Sequence, residues 1–410
     1  MNKVRISGVG CCLLDRIYDH VDFQSEAFRK YVSRKPGDGG LEPGKLTFEE
    51  ELERFAGKPF LSGILPQLTG GREPEKENVG GPCIVALINA SQVAYREIEV
   101  SFYGCRGDDE VADKVMQTLS RTRLDLSHYR TQCASETAST SVLSDPNYDN
   151  GHGERAFVNT IGASWHYLPE EVDDGFYESD ICVFGSTALV PRIHGGLCAM
   201  LKRAKSRGAI TVVNTVYDFL SEKEHPGQRW PMGESDESYR YIDLLLVDHE
   251  EALRLSGCDN VPAAMAFFRG KGTCAVLVTN GAHDVTLWAD NPLFGKVTEQ
   301  TMPVSDAVGK LLKQGMKGDS TGCGDNFAGG VIGSLARQAA NSKTTGTEIR
   351  RLDLKEACRW GIVSGGFACF YYGGTYLEQT EGEKFSRLQE LYNQYLEQEA
   401  LTTSHKISAL

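Results

Sequence analysis

A glycine-rich segment toward the C-terminal end of the chain carries the residue types best suited to chemistry. Residues 318–330 read G-D-S-T-G-C-G-D-N-F-A-G-G. The small residues at 320–324 allow the backbone to approach a ligand closely and to point successive N–H groups at an anion. Asp325 follows directly, where a carboxylate could accept a proton from a hydroxyl that attacks a phosphoryl group held by the loop. An ordinary helix start, with Ser320 or Thr321 as N-cap, is the structural alternative.

The residues after Asp325 follow helical spacing. Intervals of four, one and three residues separate the apolar side chains Phe327, Val331, Ile332 and Leu335, which is typical of one helix face. A helix N-terminus carries partial positive charge and unpaired N–H donors. We therefore predict that the glycine-rich loop opens a helix and forms an anion site there.

Strand-like and helical segments alternate along the rest of the chain. Predicted strands cover 4–14, 101–104, 181–185, 210–214, 243–247 and 275–279, and predicted helices cover 82–95, 109–120, 195–207, 249–256 and 262–271. This alternation predicts an α/β fold whose mainly parallel sheet is covered on both faces. Two further strand-like segments lie at 138–143 and 155–160. The polar insertion at 24–78 is longer than a strand–helix connection needs.

Composition limits the classes of function. Of 410 residues, 40% are hydrophobic and 24% charged, and no apolar run approaches the roughly 20 residues of a membrane span. The formal charge of −13 argues against a nucleic-acid partner. Twelve cysteines without a C-x-x-C pair indicate reduced thiols. The first apolar segment runs directly into Asp15-Arg16, which favours a core strand over a signal peptide. These features predict a cytoplasmic protein with no membrane partner.

The segment 318–330 resembles the C-terminal motif of the ribokinase-like (phosphofructokinase B type, PfkB) carbohydrate kinases, a family that includes adenosine kinase. That motif reads roughly Asp-Thr-x-Gly-Ala-Gly-Asp, and here Cys323 takes the Ala position. The resemblance implies that Asp325 is the catalytic base and that the amides of Gly322, Cys323 and Gly324 form an anion hole. It also implies a ribokinase-like three-layer sandwich with a mainly parallel central sheet and a small β lid.

The same resemblance implies residues that bind the phosphoryl acceptor. Asp15 would accept hydrogen bonds from sugar hydroxyls, Gly80 and Gly81 would pack against the sugar, and Asp109 would contact substrate. Two of these have structural alternatives, a surface salt bridge for Asp15 and a helix N-cap for Asp109. Val85 stands where the family usually has Asn, so one polar contact is expected to be missing or supplied elsewhere.

ATP and Mg²⁺ are the cofactors that the resemblance implies. Thr279, Gly281 and Thr321 would bind the nucleotide, and Glu251 with Asp248 would organise Mg²⁺ through water. Mg²⁺ favours carboxylates and keeps much of its water. The alternative for the acidic pair is a capped helix start with acidic first-turn residues.

The sequence offers several candidates for positive charge beside the phosphates. Residues 214–218 lack the Arg that the family usually has there, and Arg229 or a lid residue could replace it. Lys310, Lys313 or Lys317 could reach the triphosphate, although a solvated loop is the simpler interpretation.

The resemblance assigns residues 1–15, 79–130 and 161–410 to the nucleotide- and substrate-binding core. Residues 16–78 and 131–160 would form lid segments, including the long insertion. We expect an ATP-dependent kinase that phosphorylates a hydroxyl of a sugar or sugar-like molecule. Its partners would be a sugar or polyol and ATP, and a homodimer is compatible with this expectation.

Two alternatives stay open, an adenosine-type nucleoside kinase and a ligand-binding member with weakened catalysis. Ser and Thr in the lid segment at 137–141 favour hydroxyl recognition over base stacking. Aromatic residues of the insertion could instead fold over a base, and they are Phe28, Tyr31, Phe48, Phe55 and Phe60.

Overall fold

The computed structural model describes residues 3–408 except 36, 97, 152, 317 and 345–350. The strands are β1 (Val4–Gly10), β2 (Leu13–Tyr18), β3 (Leu46–Phe48), β4 (Lys76–Gly80), β5 (Ile98–Arg106), β6 (Leu124–Asp125), β7 (Tyr129–Thr131), β8 (Ser139–Asp145), β9 (Glu154–Thr160), β10 (Ile181–Gly185), β11 (Ile210–Asn214), β12 (Leu244–Asp248), β13 (Ala275–Asn280), β14 (His283–Asn291) and β15 (Gly295–Met302). The helices are α1 (Glu26–Arg29), α2 (Glu49–Ala56), α3 (Leu65–Thr69), α4 (Pro82–Ala94), α5 (Glu110–Leu119), α6 (Tyr148–Gly151), α7 (Asp174–Tyr177), α8 (Pro191–His194), α9 (Leu197–Ser206), α10 (Phe219–Glu224), α11 (His249–Ser256), α12 (Val261–Lys271), α13 (Asp306–Lys313), α14 (Cys323–Thr344), α15 (Leu354–Ala368) and α16 (Glu383–Ser408).

The larger sheet is mainly parallel. Its strand order is β15-β14-β13-β12-β11-β10-β1-β5-β6, and β7 also pairs with β5. The pairs from β13 to β5 are parallel, whereas β14 and β15 add an antiparallel edge. The predicted α/β class is therefore confirmed.

Helices cover both faces of this sheet. Successive strand residues point to opposite faces, and in β12 Leu244 and Leu246 enter one core while Leu245 and Val247 enter the other. Helices α4, α14, α15 and α16 contribute to the first core, and α9, α11 and α12 to the second. Burial on both faces explains why the central strands are apolar without alternation.

A second sheet, which we call the lid sheet, has the strand order β3-β9-β8-β2-β4. The prediction of a single strand over 4–14 is wrong at its end, because the chain leaves the larger sheet after Gly10 and enters the lid sheet at Leu13. Leu13 and Leu14 pair with Gly80 and Val79 there. Both sheets bury this segment, so its apolar character continues across the junction.

The long insertion packs on one face of the lid sheet and forms a third hydrophobic core. Phe28, Tyr31 and Phe60 lie in this core and are 1%, 3% and 1% exposed. The same core includes the lid-sheet residues Leu143 and Val158. The insertion thus thickens the lid sheet from outside. No helix in the described part of the chain is long and apolar enough to span a membrane.

Candidate active site

The glycine-rich loop opens α14, as predicted from the spacing. α14 begins at Cys323, and Asp325 lies in its first turn. Gly322 has φ +74°, and a Cβ there would lie 2.5 Å from the Cα of Gly374. A Cβ on Gly324 would instead meet no protein atom within 4 Å. The turn therefore requires glycine at 322 for the fold, whereas the space beside Gly324 is open.

A cavity of ≈220 Å³ lies at this helix N-terminus. Its walls are the ends of β11, β12 and β13 together with the start of α14. The lining residues are Asn214, Thr215, Val216, Leu246, Val247, Asp248, Glu251, Thr279, Ser320, Gly322, Cys323, Gly324, Asp325, Phe327 and Ala328. The structure thus brings together the predicted base, the predicted anion-hole residues, the predicted metal pair and Thr279.

Asp325 has a protonation equilibrium suited to a general base. Burial raises the pKa of Asp325 to about 7. A base whose pKa is near the working pH combines a useful basic fraction with a favourable proton transfer. The helix N-terminus beside it favours negative charge.

Asp248 and Glu251 form a reciprocal capping box at the start of α11. Asp248 Oδ1 accepts a hydrogen bond from the Glu251 amide at 2.7 Å, and Glu251 Oε2 accepts one from the Asp248 amide at 3.1 Å. Thr215 Oγ1 also donates to Glu251 Oε2, at 2.5 Å. The helix-cap alternative is therefore realised in the same residues that line the cavity.

The electrostatics of this pair favour a cation. Burial, followed by the negative charge of Asp248, raises the pKa of Glu251 to about 8. Burial also raises the pKa of Asp248. Two crowded carboxylates would both ionise more readily with a cation beside them.

The donor set fits a hydrated Mg²⁺ rather than a caged metal. Among the described residues, no group of three or more His, Cys, Asp or Glu side chains is arranged to hold an ion. Asn214 Oδ1 is buried without a hydrogen-bond partner in that part of the chain. Mg²⁺ commonly keeps several waters and binds through one or two carboxylates plus phosphate oxygens.

One face of the lid sheet carries a polar row that includes Asp15. In the strand register Asp15 pairs with Asn78 on β4 and with Thr140 on β8, and Thr140 pairs with Asn159 on β9. Paired residues project to the same face. Asn159 Nδ2 donates to Thr140 Oγ1 at 3.0 Å. Amide, hydroxyl and carboxylate groups thus form one hydrogen-bonding surface opposite the insertion.

Asp15 lies close to the glycine-rich loop. Its side chain is buried, and a Cβ on Gly80 would lie 2.0 Å from Asp15 Oδ2. Burial, and then the charges of Asp319 and Asp325, raise the pKa of Asp15 to about 7. Gly81 has φ +103°, so glycine is favoured at this turn. The residues predicted to bind the phosphoryl acceptor, Asp15, Gly80 and Gly81, are therefore adjacent to one another.

Comparison with known proteins identifies the family of this chain. Residues 71–381 match the sequence pattern of the family described as pfkB family carbohydrate kinase. The chain belongs to the pfkB family. The resemblance inferred from residues 318–330 is thereby confirmed.

Solved structures show that the fold is ribokinase-like, as predicted. The Schistosoma mansoni adenosine kinase in complex with 2-fluoroadenosine has a TM-score of 0.65 at 16% identity, covering 92% of this chain and 98% of that one. A probable sugar kinase from Rhizobium etli CFN 42 has a TM-score of 0.65 at 16% identity, covering 95% and 100%. Ribokinase from Thermotoga maritima has a TM-score of 0.58 at 16% identity, covering 95% and 99%.

Three other predicted site residues lie outside the cavity lining of this pfkB protein. Asp109 is the N-cap of α5, accepting from the Ala112 amide at 2.8 Å, and it also accepts from the Thr137 amide at 2.6 Å. Gly281 lies in the turn between β13 and β14. Thr321 lies in the glycine-rich loop, where its hydroxyl contacts Arg155. Asp109 therefore lies where the chain passes from β5 into α5, and it contacts the segment just before β8.

Arg155 is a site residue that the sequence did not identify. It lies on β9 opposite Ser144 of β8, donates to Ser320 Oγ at 2.7 Å and also to the Thr321 hydroxyl. Arg229, the arginine that the sequence analysis named as a candidate, instead forms an ion pair with Asp236 at 2.8 Å. A lid-sheet guanidinium therefore reaches the glycine-rich loop.

The lysines between β15 and the loop do not share that position. Lys310 and Lys313 are exposed on α13, and Lys317 lies outside the described residues. The expected solvated loop is wrong for residues 306–313, which form a helix whose N-cap is Ser305 and whose buried residue is Val308.

Asn326 anchors the loop from beneath. Its Nδ2 donates to the carbonyl oxygens of Gly322 at 2.9 Å and Gly374 at 2.8 Å. Its Oδ1 accepts from Lys384 Nζ at 2.9 Å and from the Tyr371 hydroxyl at 3.1 Å. Burial lowers the pKa of Lys384 to about 7. This network was not predicted, because Lys384 is 58 residues from its partner in sequence.

Proposed function

We propose that this protein transfers the terminal phosphoryl group of ATP to a hydroxyl of a sugar or polyol. The observation that carries the proposal is the position of Asp325. It lies in the first turn of α14 and lines the cavity together with the glycine-rich loop, and its charge acts on buried Asp15. Base, anion site and hydroxyl-binding carboxylate are therefore adjacent.

The chain's own groups support each part of the transfer. Asp15 accepts hydrogen bonds from the acceptor hydroxyls, and the Asp325 carboxylate takes the proton of the attacking one. The amides of residues 322–324 stabilise negative charge on the transferred group, which is the main electrostatic contribution to such reactions. Arg155 adds positive charge from the lid sheet. Mg²⁺, held through water by Glu251 and Asp248, would neutralise charge on the phosphates.

A sugar or polyol fits the acceptor surface better than a nucleoside. The row opposite the insertion offers a carboxylate, a hydroxyl and amides, whereas base binding gains about 1–3 kcal/mol per stacked aromatic contact. The insertion's Phe28, Tyr31 and Phe60 are buried in the third core and are occupied there. Phe157 is partly exposed on β9, and in register it pairs with Val142, two residues along β8 from Thr140. Phe48 of β3 pairs in register with Asn159 and contacts the Trp165 ring edge-on. These rings keep a nucleoside kinase as the second candidate.

A substrate panel tests the proposal. ATP consumption would be measured against simple sugars, sugar acids, inositols and nucleosides, with Asp325→Asn as the inactive control. We expect the highest kcat/KM for a sugar or polyol. A higher kcat/KM for adenosine, inosine or cytidine than for every sugar would favour the nucleoside kinase. Ligand binding without turnover on any compound would favour the catalytically weakened alternative.

A further inference from the structure

Two cysteines meet at the base of the catalytic loop. The Sγ atoms of Cys323 and Cys369 are 3.4 Å apart. Cys323 is the first residue of α14 and lines the cavity, and Cys369 is the C-cap of α15. Both side chains are partly exposed. The pair therefore joins the predicted anion hole to a neighbouring helix end.

This pair differs from the other cysteines. All twelve are free thiols, and among the described residues only this pair forms a sulfur–sulfur hydrogen bond. Cys11, Cys12 and Cys83 also lie near one another but are at most 2% exposed. An oxidant in solution would therefore reach Cys323 and Cys369 and be excluded from Cys11, Cys12 and Cys83.

We propose that Cys323 and Cys369 are a redox modification site, which a peroxide converts to a disulfide that disables the anion hole. The inference rests on the proposed function for its effect on turnover. The modification itself depends only on the geometry and reactivity of the two thiols.

The local chemistry favours Cys369 as the reacting thiolate. The hydrogen bond from the Cys323 thiol lowers the pKa of Cys369 to about 7, and the thiolate is the nucleophilic form of cysteine. That same bond, together with burial, raises the pKa of Cys323. Cys323 thus remains the protonated partner.

The oxidation balances with one hydrogen peroxide. The Cys369 thiolate attacks one peroxide oxygen, so that an S–O bond forms, the O–O bond breaks and the departing hydroxide takes a proton to become water. The Cys323 sulfur then attacks this sulfenic acid, an S–S bond forms, and the hydroxyl leaves with the thiol proton as a second water. Two thiols lose two electrons, and the peroxide gains them.

Closing the bond requires the two sulfur atoms to approach each other by more than about 1 Å. A disulfide S–S distance is about 2.05 Å, well below the 3.4 Å seen here. The turn after Cys369 is held by hydrogen bonds from the Asp319 amide to the Tyr371 carbonyl at 3.1 Å and from Asn326 Nδ2 to the Gly374 carbonyl at 2.8 Å. Because these hydrogen bonds tie the turn to the residues on either side of Cys323, we expect the approach of the two sulfur atoms to displace Cys323 and its amide. A misplacement of about 1 Å can cost on the order of 10²-fold in rate.

The full chain would be titrated with hydrogen peroxide while peptide mass spectrometry follows the Cys323–Cys369 link. ATP binding by calorimetry and phosphoryl transfer would be measured on the same samples. We expect the link to form, ATP binding to weaken and kcat/KM to fall about 10²-fold, with recovery after dithiothreitol. Cys369→Ser should keep its activity in peroxide. Cys133→Ser, at an exposed cysteine, should respond as the wild type does.

Absence of the link, or a linked protein with unchanged ATP binding, would overturn the inference. So would loss of activity in Cys369→Ser as fast as in the wild type. If the reduced protein phosphorylates nothing in the substrate panel, the proposed function fails by itself. The link and its effect on ATP binding would still decide the redox inference.

Discussion

Gly324→Ala separates what the catalytic loop does for the fold from what it does for the ligand. Gly324 lies in the first turn of α14 and lines the cavity. Its added Cβ would meet no protein atom within 4 Å, and its φ is not positive. The folded protein can therefore accept the methyl group, whereas a phosphoryl group bound at the loop would have to share its space.

The two consequences have opposite signs. Replacing a helical glycine by alanine stabilises a protein by roughly 0.5–1 kcal/mol where the conformation permits it. The backbone N–H stays, but the added methyl group would hold the transferred group away from it, and losing the use of one anion-hole donor costs about 10²–10³-fold in kcat. We therefore expect unfolding stability that is unchanged or higher, together with a fall of about that size in kcat/KM.

Two matched variants complete the experiment. Gly270 is exposed in α12, and a Cβ there also meets nothing within 4 Å, so Gly270→Ala should gain stability and keep wild-type kinetics. Gly322→Ala should lose stability, because φ is +74° and the Cβ would lie 2.5 Å from Gly374 Cα. Urea unfolding and steady-state kinetics measure both quantities. Wild-type kcat/KM in Gly324→Ala would refute the assignment of this space to the transferred group.

Four further outcomes follow from the site. Asp325→Asn should retain ATP binding by calorimetry and lose about 10²–10⁴-fold in kcat. Wild-type kcat/KM, which reports ionisation of the free enzyme, should rise with pH through about 7, where burial places the pKa of Asp325; a flat pH profile would contradict this. Glu251→Gln keeps a capping oxygen and should raise the Mg²⁺ concentration for half-maximal rate more than the KM of the acceptor; an unchanged Mg²⁺ titration would leave only the capping role. Arg155→Met should lower kcat/KM for ATP about 10-fold or more, because charge-assisted contacts are worth about 1.5–3 kcal/mol; equal kinetics would limit Arg155 to holding the loop. Burial raises the pKa of Asp15 to about 7, so the protonated carboxyl favours the folded state at low pH, and this contribution is lost as pH rises from about 4 through 7. Relative to the wild type, Asp15→Asn should therefore gain about 2–3 kcal/mol more free energy of unfolding in urea at pH 8 than at pH 5. An equal gain at both pH values would be inconsistent with a raised pKa for this buried carboxyl.

Local patterns were enough to predict the elements that carry the site. The strand Ile181–Gly185 and the helix His249–Ser256 have the predicted bounds. The residues from 318 to 330 fold as a loop and a helix start because small residues, a carboxylate and helical periodicity are all encoded within a few positions. Helix α13 is also encoded locally, by its N-cap Ser305 and its buried residue Val308. It was nevertheless missed, because its lysines favoured the interpretation as a solvated loop.

Contacts between distant segments could not be predicted in this way. Arg155 and Thr321 are 166 residues apart, and nothing near Arg155 indicates which loop it reaches. The division of residues 4–14 between two sheets has a similar cause. Cys11 and Cys12 are buried at the junction, so hydrophobicity does not mark the point where the partner strands change. Tertiary pairing decides both cases.

The charges around the cavity indicate the form in which ATP, the proposed phosphoryl donor, would bind. Burial raises the pKa of Asp248, Glu251 and Asp325, which shows that ionising these groups costs free energy in the ligand-free protein. Free ATP would add further negative charge beside them, and the loop amides and Arg155 offset only part of it. A divalent cation between the carboxylates and the phosphates relieves both repulsions at once. We therefore expect the magnesium complex of ATP to bind more tightly than ATP or Mg²⁺ alone. ATP and Mg²⁺ together should raise the free energy of unfolding by more than the sum of their separate effects.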